Sequence, residues 1–587
     1  MLPDGLTLNL VVRELQATIL QGRVERVYQP EKQEIILVIR YSGRSLRLLI
    51  SSAAESARIH LTTQDKTNPP YPPLFCQILR KYLEGSRLSS IEQENLDRIV
   101  RLVFTRLGES GEFQNMVLIS EIMGKHSNLI LVDAATGLII DGIKRYSHAL
   151  SRHREVLPGL PYIPPPPQNR AHLLNLDEEQ FVRLLLSNHL EKKLEDVLML
   201  TIAGIGRSMA REVVYRAGLD PELRLEFCGE YELHALFQSF QKTVIPLLRG
   251  NKPEPVIIFQ GTTAVDYAPL PLTHYRGLKS IPCETVNEML DRYYAAKAES
   301  NRLKQIKTHL ETVIRQNMDR CSKKLTLQEK DEAEAREALK LRLLGEMIFA
   351  HLHLIRPGSR EVELPNLYQP DAPSLKIELD PSLSAVQNAQ RLFRRYDKAR
   401  DTIKALEKQI KSTKEEIQYL NSIKTALEQA ECLADYQEIH EELEDAGYIR
   451  SDGKKSRRSK GTKKAPPQIM RFTSRDGYQI LVGKNNQQND YITMRLARDE
   501  DYWLHVKDSA GAHVIVKSKP GQEIPPSTLE EAAGLAAHFS EARYSSKVPV
   551  DCTKRKYVSK PAGARPGFVI YKNHKTIYAT PKAPTPE

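Results

Sequence analysis

The sequence predicts a multidomain α+β protein: a β-rich N-terminal domain, a helical region, a long antiparallel coiled-coil hairpin, and a second α+β domain at the C-terminus. Three observations lead there. At 587 residues the chain carries material for about four domains and is too long for one hydrophobic core. Short strand-like runs fill residues 1–168 and return after 469, whereas 284–449 is dense in Glu, Lys, Arg and Gln with sparse aliphatics. Proline-rich or apolar-poor stretches separate these zones, as linkers do.

Residues 1–168 open with one helix and continue as strands. Glu34 to Arg40, the turn Ser42-Gly43 and Leu46 to Ile50 read as a hairpin. Further β-rich runs lie at Ile99 to Phe104, Met116 to Ile119, Leu129 to Val132 and Leu138 to Ile143. Pro158-Gly159 and Pro164 to Pro167 then stiffen the chain and set a boundary. In the helical region, 169–283, apolar residues recur at three-four spacing around Leu185, Leu194, Val197 and Leu198. The turn Gly204-Ile205-Gly206 between two helical stretches fits a helix-hairpin-helix.

In the zone 284–449, Leu303, Ile306, Leu310 and Val313, followed by Asn317, form one seam, and Tyr396, Ala399, Ile403, Leu406, Ile410, Thr413, Ile417 and Leu420 form another before the phase slips at Ile423. Two such arms, with a tip around 351–384, fold back on each other most simply as an antiparallel hairpin; a coiled-coil dimer of two molecules is the alternative. Residues 450–468 read as a flexible basic linker. From 469 to 587 strands are expected at Gln479 to Val482, Tyr502 to Val506, His513 to Lys517 and Phe568 to Tyr571. One helix should start near Ser527, where Ser527 and Glu530 match a capping box.

Composition narrows the function. The longest apolar runs, such as Ile35 to Ile39, fall far short of the ~20 residues that a spanning helix needs. The N-terminus lacks a basic n-region and a cleavage site, so a cytoplasmic protein is expected. Six cysteines stand singly, which disfavours disulfide frameworks and zinc fingers. Net charge is +11, yet residues 451–587 hold 25 Lys and Arg against 13 Asp and Glu, leaving 60 against 61 in everything before. A basic excess confined to the last quarter of the chain suits a polyanion, for which nucleic acid is the first candidate.

No catalytic constellation, metal-ligand spacing or nucleotide-binding fingerprint stands out, so neither enzyme activity nor a cofactor is expected. The pairs His351/His353 and His505/His513 have no third ligand at suitable spacing. Asp97-Arg98 opens a strand, where successive side chains point to opposite faces, so each needs its own partner. A turn cap and a surface ion pair would satisfy them; a phosphate or base edge for Arg98 is the functional reading. Gly204 and Gly206 could leave backbone N–H groups free for a phosphate, or let two helices pack closely. Candidate RNA contacts are Lys454, Lys455, Arg457 and Arg458 in the linker and Lys554, Arg555 and Lys556 in the last domain. There Tyr557, Phe568, Tyr571 and Tyr578 alternate with lysines, as stacking and phosphate neutralisation on irregular RNA require. Trp503, the only tryptophan, is expected in the core.

A set of longer words resembles the NFACT family: Asp4-Gly-Leu-Thr-Leu8, Phe75-Cys-Gln-Ile-Leu-Arg-Lys-Tyr82, Leu96-Asp-Arg-Ile99, Glu121-Ile-Met-Gly-Lys-His-Ser-Asn128, Leu157-Pro-Gly159, Asn388-Ala-Gln390, Asp501-Tyr-Trp-Leu-His-Val-Lys507 and Gly511-Ala-His-Val-Ile515. They span nearly the whole chain. The resemblance implies an N-terminal domain similar to that of formamidopyrimidine-DNA glycosylases, a helix-hairpin-helix, a coiled-coil hairpin and a C-terminal RNA-binding domain. It also implies binding to large ribosomal subunits obstructed by peptidyl-tRNA, and recruitment of alanyl-tRNA for template-free alanine tailing while the ribosome forms the peptide bonds. On this resemblance Asp97 and Arg98 match an Asp-Arg pair that engages tRNA. Ala512 stands where the family often has serine. The rivals are a DNA-binding glycosylase-like protein, against which stand the Met-Leu-Pro3 start and the lack of a cysteine quartet, and a surface fibronectin-binding adhesin, against which stands the missing secretion signal.

Overall fold

The computed structural model describes residues 1–108, 111–147, 154–366, 368, 374–450, 467 and 469–583. The chain divides into two units, Met1–Asn301 and Arg302–Glu587.

In the first unit, α1 (Gly5–Ile19) starts at Asp4, whose extended backbone and side-chain oxygen cap it by accepting the Thr7 N–H at 2.8 Å. Its buried stripe, Leu8, Val11, Leu15 and Ile19, lies against a nine-stranded antiparallel sheet. The strands are β1 (Arg23–Glu31), β2 (Glu34–Tyr41), β3 (Arg44–Ser51), β4 (Arg58–Leu61), β5 (Arg87–Gln93), β6 (Ile99–Leu107), β7 (Phe113–Glu121), β8 (Asn128–Asp133) and β9 (Ile139–Gly142), in the order β4-β3-β2-β1-β5-β6-β7-β8-β9. Helix α2 (Leu74–Leu83) joins the two halves of the run. Helices α3 (Glu178–Leu186), α4 (Leu194–Thr201), α5 (Arg207–Arg216) and α6 (Glu230–Leu248) follow, with a small sheet of β10 (Val256–Gln260), β11 (Thr263–Ala268) and β12 (Lys279–Pro282). One hydrophobic core takes in Leu6, Leu37, Phe104, Phe181, Phe240 and Tyr293, on both sides of the proline run. The start of α7 (Val286–Ala338) is held in this unit by Glu14, whose carboxylate accepts the Val286 and Asn287 N–H groups at 2.8 and 2.9 Å.

The second unit contains the rest of α7, α8 (Leu341–Ala350), the hairpin of β13 (Glu361–Leu364) and β14 (Leu375–Glu378), α9 (Ala385–Glu428) and α10 (Leu433–Asp445). Arg320 meets Glu416 at 4.0 Å, Lys414 meets Glu329 at 3.2 Å and Arg336 meets Glu407 at 3.5 Å, so residue numbers rise on α7 as they fall on α9. The two arms are therefore antiparallel partners within one chain. The seam differs from the expected one at Val313: Ile314 is 2% exposed in its place, and Gln328 bridges Gln409 and Thr413 as a buried polar layer.

The C-terminal domain folds β15 (Met470–Thr473), β16 (Gln479–Val482), β17 (Tyr502–Val506), β18 (Val514–Val516), β19 (Val548–Lys554) and β22 (Lys575–Ala579) into a sheet ordered β15-β16-β18-β17-β19-β22. Between these lie α11 (Asn486–Tyr491), α12 (Pro526–His538) and a two-stranded pair, β20 (Val558–Ser559) with β21 (Ile570–Tyr571). Alternation sorts the faces. Ile480, Leu504, Val514 and Val550 pack on α12, while Leu481, Trp503 and Ile515 form the opposite core. The expected capping box at Ser527 is absent: Pro525 is the N-cap, Pro526 fills the first helical position, and the Ser527 hydroxyl donates to Asp476 at 2.6 Å. A proline there has no N–H to be capped, so the serine side chain is free for another partner.

Candidate nucleic-acid interface

Three distant chain segments meet around Asp97 and Arg98. The turn before them, Glu94 to Asp97, puts Asn95 and Leu96 in the left-handed region (φ 50° and 56°) and closes with Asp97 N–H to Glu94 carbonyl at 2.8 Å. Non-glycine residues are rarely held there unless their surroundings require it. The reason is contact: a Cβ on Gly5 would lie 1.8 Å from the Leu96 carbonyl oxygen and 2.7 Å from Gly204 Cα. Only glycine at position 5 lets the start of α1, this turn and the Gly204 turn touch. Gln93 ties two of them by donating to the Gly5 and Asp97 carbonyls, each at 2.8 Å. Leu6 N–H donates to the Gly204 carbonyl at 2.8 Å.

This packing corrects the reading of Gly206 as a free phosphate donor and agrees with the alternative, a glycine turn that lets elements pack closely. The Gly206 N–H donates to Asp4 Oδ2 at 2.9 Å, and a Cβ there would meet Asp4 at 2.8 Å. Gly204, at φ 80°, makes the turn and accepts from Leu6. A carboxylate of the chain itself occupies the anion position at the start of α5. Burial pushes the Asp4 carboxyl above its ordinary value, although the bonds from Thr7 and Gly206 work the other way.

Asp97 Oδ1 accepts the Arg98 backbone N–H at 2.7 Å, and Arg98 carbonyl accepts from Ile122 N–H at 2.8 Å, which extends the β6–β7 ladder by one rung. Both side chains are half-buried. Arg170, also half-buried, lies close enough to feel both: partial burial and the Arg98 charge push its guanidinium down, and Asp97 partly offsets them. Among the described residues, neither Arg98 nor Arg170 enters a carboxylate ion pair. Two neighbouring guanidinium groups, offset only in part by Asp97 and in no direct ion pair, form a place where an added phosphate would relieve repulsion and accept hydrogen bonds.

The word Glu121 to Asn128 divides into scaffold and display. Glu121 is buried and bound by Arg154 and by Tyr162 Oη at 2.9 Å. Asn128 brackets the Lys144 backbone, accepting its N–H at 3.1 Å and donating to its carbonyl at 3.0 Å. Between them Lys125 and His126 stand exposed on a single helical turn, just beyond the rung that pairs Ile122 with Arg98. Sequence reasoning assigned no contact to them. Arg170 was missed altogether, because nothing local marks it in the stretch after the prolines.

In the C-terminal domain the candidates fare differently. Lys554 and Lys556 both close on Glu500, at 2.7 and 2.9 Å, and hold its carboxyl down to about 2. Arg555 donates to the Thr493 carbonyl at 2.9 Å. These cations are occupied within the domain, which weakens their claim as the primary rRNA contacts. Lys454, Lys455, Arg457 and Arg458 lie outside the described residues. Tyr571 is turned inward, 4.8 Å from the Trp503 ring, and donates to Asp551 at 2.8 Å.

The family model for the NFACT N-terminal and middle domains matches residues 4–463, and the model for the NFACT protein RNA binding domain matches 468–573. The chain belongs to the NFACT family. It is 36% identical over 585 residues to the Rqc2 homolog RqcH of Bacillus subtilis, covering 99% of this chain and 98% of that protein. The archaeal Rqc2 homolog aRqcH of Methanocaldococcus jannaschii is 24% identical over 581 residues, covering 91% of this chain and 80% of that one. Among solved structures, the N-terminal part of the fibronectin/fibrinogen-binding protein of Streptococcus suis covers 50% of this chain and 98% of its own length, at 32% identity and a TM-score of 0.41. A superposition that loose adds nothing to the fold described above.

In this NFACT chain the two central histidines of the C-terminal domain are structural. His513 is buried, Nδ1 lies 2.8 Å from the Thr493 hydroxyl, and burial keeps the imidazole well below its ordinary pKa; burial likewise lowers His505 to about 4. Both are uncharged at neutral pH. Among the described residues no group of three or more His, Cys, Asp or Glu side chains could hold a metal ion, and no helix is long and apolar enough to cross a membrane. Ala512 is 3% exposed and packs on the α12 core, so a hydroxyl there would face apolar neighbours.

Proposed function

We propose that this NFACT protein is a ribosome quality control factor that binds obstructed large ribosomal subunits carrying peptidyl-tRNA and recruits alanyl-tRNA, so that stalled chains receive a C-terminal alanine tail without a template. It acts in the cytoplasm and has no catalytic step of its own: bond formation stays with the ribosome, and the protein contributes position and proximity. The observation that carries the tRNA part is the pair Arg98 and Arg170, crowded, half-buried and lacking carboxylate partners, with Asp97 beside them and Lys125 and His126 on the adjoining turn. The near full-length likeness to proteins named Rqc2 homolog RqcH supports the ribosomal part.

The test is co-purification of tRNA and large subunits with tagged protein. Asp97→Ala and Arg98→Ala are expected to keep the folded chain and its subunit association while losing most bound tRNA. Undiminished tRNA in both variants would refute the assignment.

A further inference from the structure

Part of the positive charge in the C-terminal domain is held in ion pairs. Besides the Glu500 pair, Lys560 closes on Asp490, Lys517 on Asp501 at 2.6 Å and Arg475 on Glu531 at 3.5 Å. One edge of the sheet is different. The segments 543–547 and 572–582 contain Arg543, Lys547, Lys572, Lys575 and Lys582 and no Asp or Glu. Among the described residues none of these five cations enters a carboxylate ion pair. The segments are neighbours in space: Val548 pairs with Ala579 and Pro549 with Tyr578, and the Thr580 hydroxyl donates to the Ser546 carbonyl at 3.2 Å. Strand β22 is the last of its sheet, paired on one side only.

On this edge stand two exposed aromatic rings, Tyr544 at 87% and Tyr578 at 71%. The Arg543 guanidinium lies 4.8 Å over the Tyr544 ring, so one face of that ring already carries a cation and the other is open. Rings this exposed add nothing to the core, unlike Trp503 and Tyr571 of the same domain. A duplex would need the charges alone, because its bases are stacked on each other. Flat rings among unpaired lysines suit bases that are out of a helix.

We propose that Tyr544 and Tyr578 form a stacking platform for an unpaired stretch of RNA whose phosphates are neutralised by Arg543, Lys547, Lys572 and Lys575. The inference rests on the reading of this domain as ribosome-directed and RNA-binding. It moves the contact from the Lys554 to Lys556 turn to the β22 edge.

The full chain is tested by fluorescence anisotropy with a single-stranded RNA of about 12 nucleotides and with the blunt duplex of the same sequence. The single strand also carries 4-thiouridine for photo-crosslinking. Wild type should crosslink within 543–547 or 575–579. Tyr544→Ala with Tyr578→Ala should lose that crosslink and weaken single-strand binding by about 10-fold, with duplex binding nearly unchanged. Tyr544→Phe with Tyr578→Phe, which keeps both rings, should bind as wild type does. Lys547→Gln with Lys575→Gln should lower the salt slope by about 1 to 2, and Lys554→Gln with Lys556→Gln should leave it alone.

Crosslinks confined to other segments, or equal affinity with and without the two rings, would overturn the platform. Sedimentation with large subunits is read on the same proteins. Wild type that sediments with subunits but is indifferent to the tyrosines would sink the platform and spare the proposed function; crosslinking at Tyr544 without subunit association would do the reverse.

Discussion

Arg98 and Arg170 sit half-buried near each other, Arg98 beside the interlocked turn at 93–98 and Arg170 next to Ala171, which bonds to Thr201 and Ala203, with their repulsion only partly offset by Asp97. Tyr544, Tyr578 and their lysines occupy one edge strand and its neighbouring loop, exposed and held by local ladder bonds. Both arrangements suit the phosphates of RNA, yet they store specificity differently. The first depends on interlocked backbone and is fragile to changes that never touch a ligand. The second depends on side chains alone and should tolerate backbone change while losing affinity residue by residue.

The largest expected effect comes from breaking the interlock. Gly5→Ala places a methyl group 1.8 Å from the Leu96 oxygen and should cost at least about 3 kcal/mol in the first unit, seen as a lowered first thermal transition together with lost tRNA. Gly563→Ala in the C-terminal domain meets nothing within 4 Å and has only its positive φ of 76° to contend with, so it should cost about 1 kcal/mol. Equal losses at the two sites would erase the distinction.

A second contrast lies in buried carboxyls. Asp4 in the first unit and Glu442 in the second are both pushed up by burial, Glu442 to about 7 although Asn486 donates to it at 2.9 Å. The folded chain keeps the Glu442 proton up to about pH 7, whereas the unfolded chain releases it near 4.5. Its contribution is therefore greatest at low pH, declines as pH rises through that window and levels off above it, a total of about 3 kcal/mol. Hydrogen exchange of the α11 amides from pH 5 to 8 should show this decline, and Glu442→Gln should flatten it. A profile unaffected by the substitution would remove Glu442 as its source.

Next in size is Arg170→Gln. Because Arg98 opposes the charge of Arg170 in the free protein, the substitution should leave stability unchanged or slightly raised while weakening tRNA binding about tenfold. Parallel loss of stability and binding would mean that Arg170 is a structural residue. Smallest is Lys554→Gln with Lys556→Gln: these cations serve an exposed, solvent-screened pair with Glu500, so the melting temperature should hardly move.

Local chemistry was readable where local rules operate. Short β-rich runs marked β2, β6, β8 and β17, three-four spacing marked both long arms, and the basic excess of the last quarter was visible as a count. The arms are antiparallel partners because their seams bury apolar surface only when each has the other, but the slip from Val313 to Ile314 depended on side-chain packing against α9. Ser527 failed as a cap because Pro525 and Pro526 had already set the helix start. Gly204 and Gly206 were visible as a turn, and the occupation of the Gly206 amide by Asp4, two hundred residues earlier, was not.

The amino-acid order by itself determined which segments become helices and strands, since those follow from periodicity and backbone preference within a few residues. It also determined that the lysine surplus falls late in the chain. Tertiary structure alone decided which charges remain available: it closed Lys554 and Lys556 on Glu500, gave the Gly206 amide to Asp4, and left Arg98, Arg170 and the β22 cations without carboxylates. The reason is physical. Coulomb attraction and hydrogen bonding depend on distance in space, and a chain of this length brings together residues that no local pattern relates.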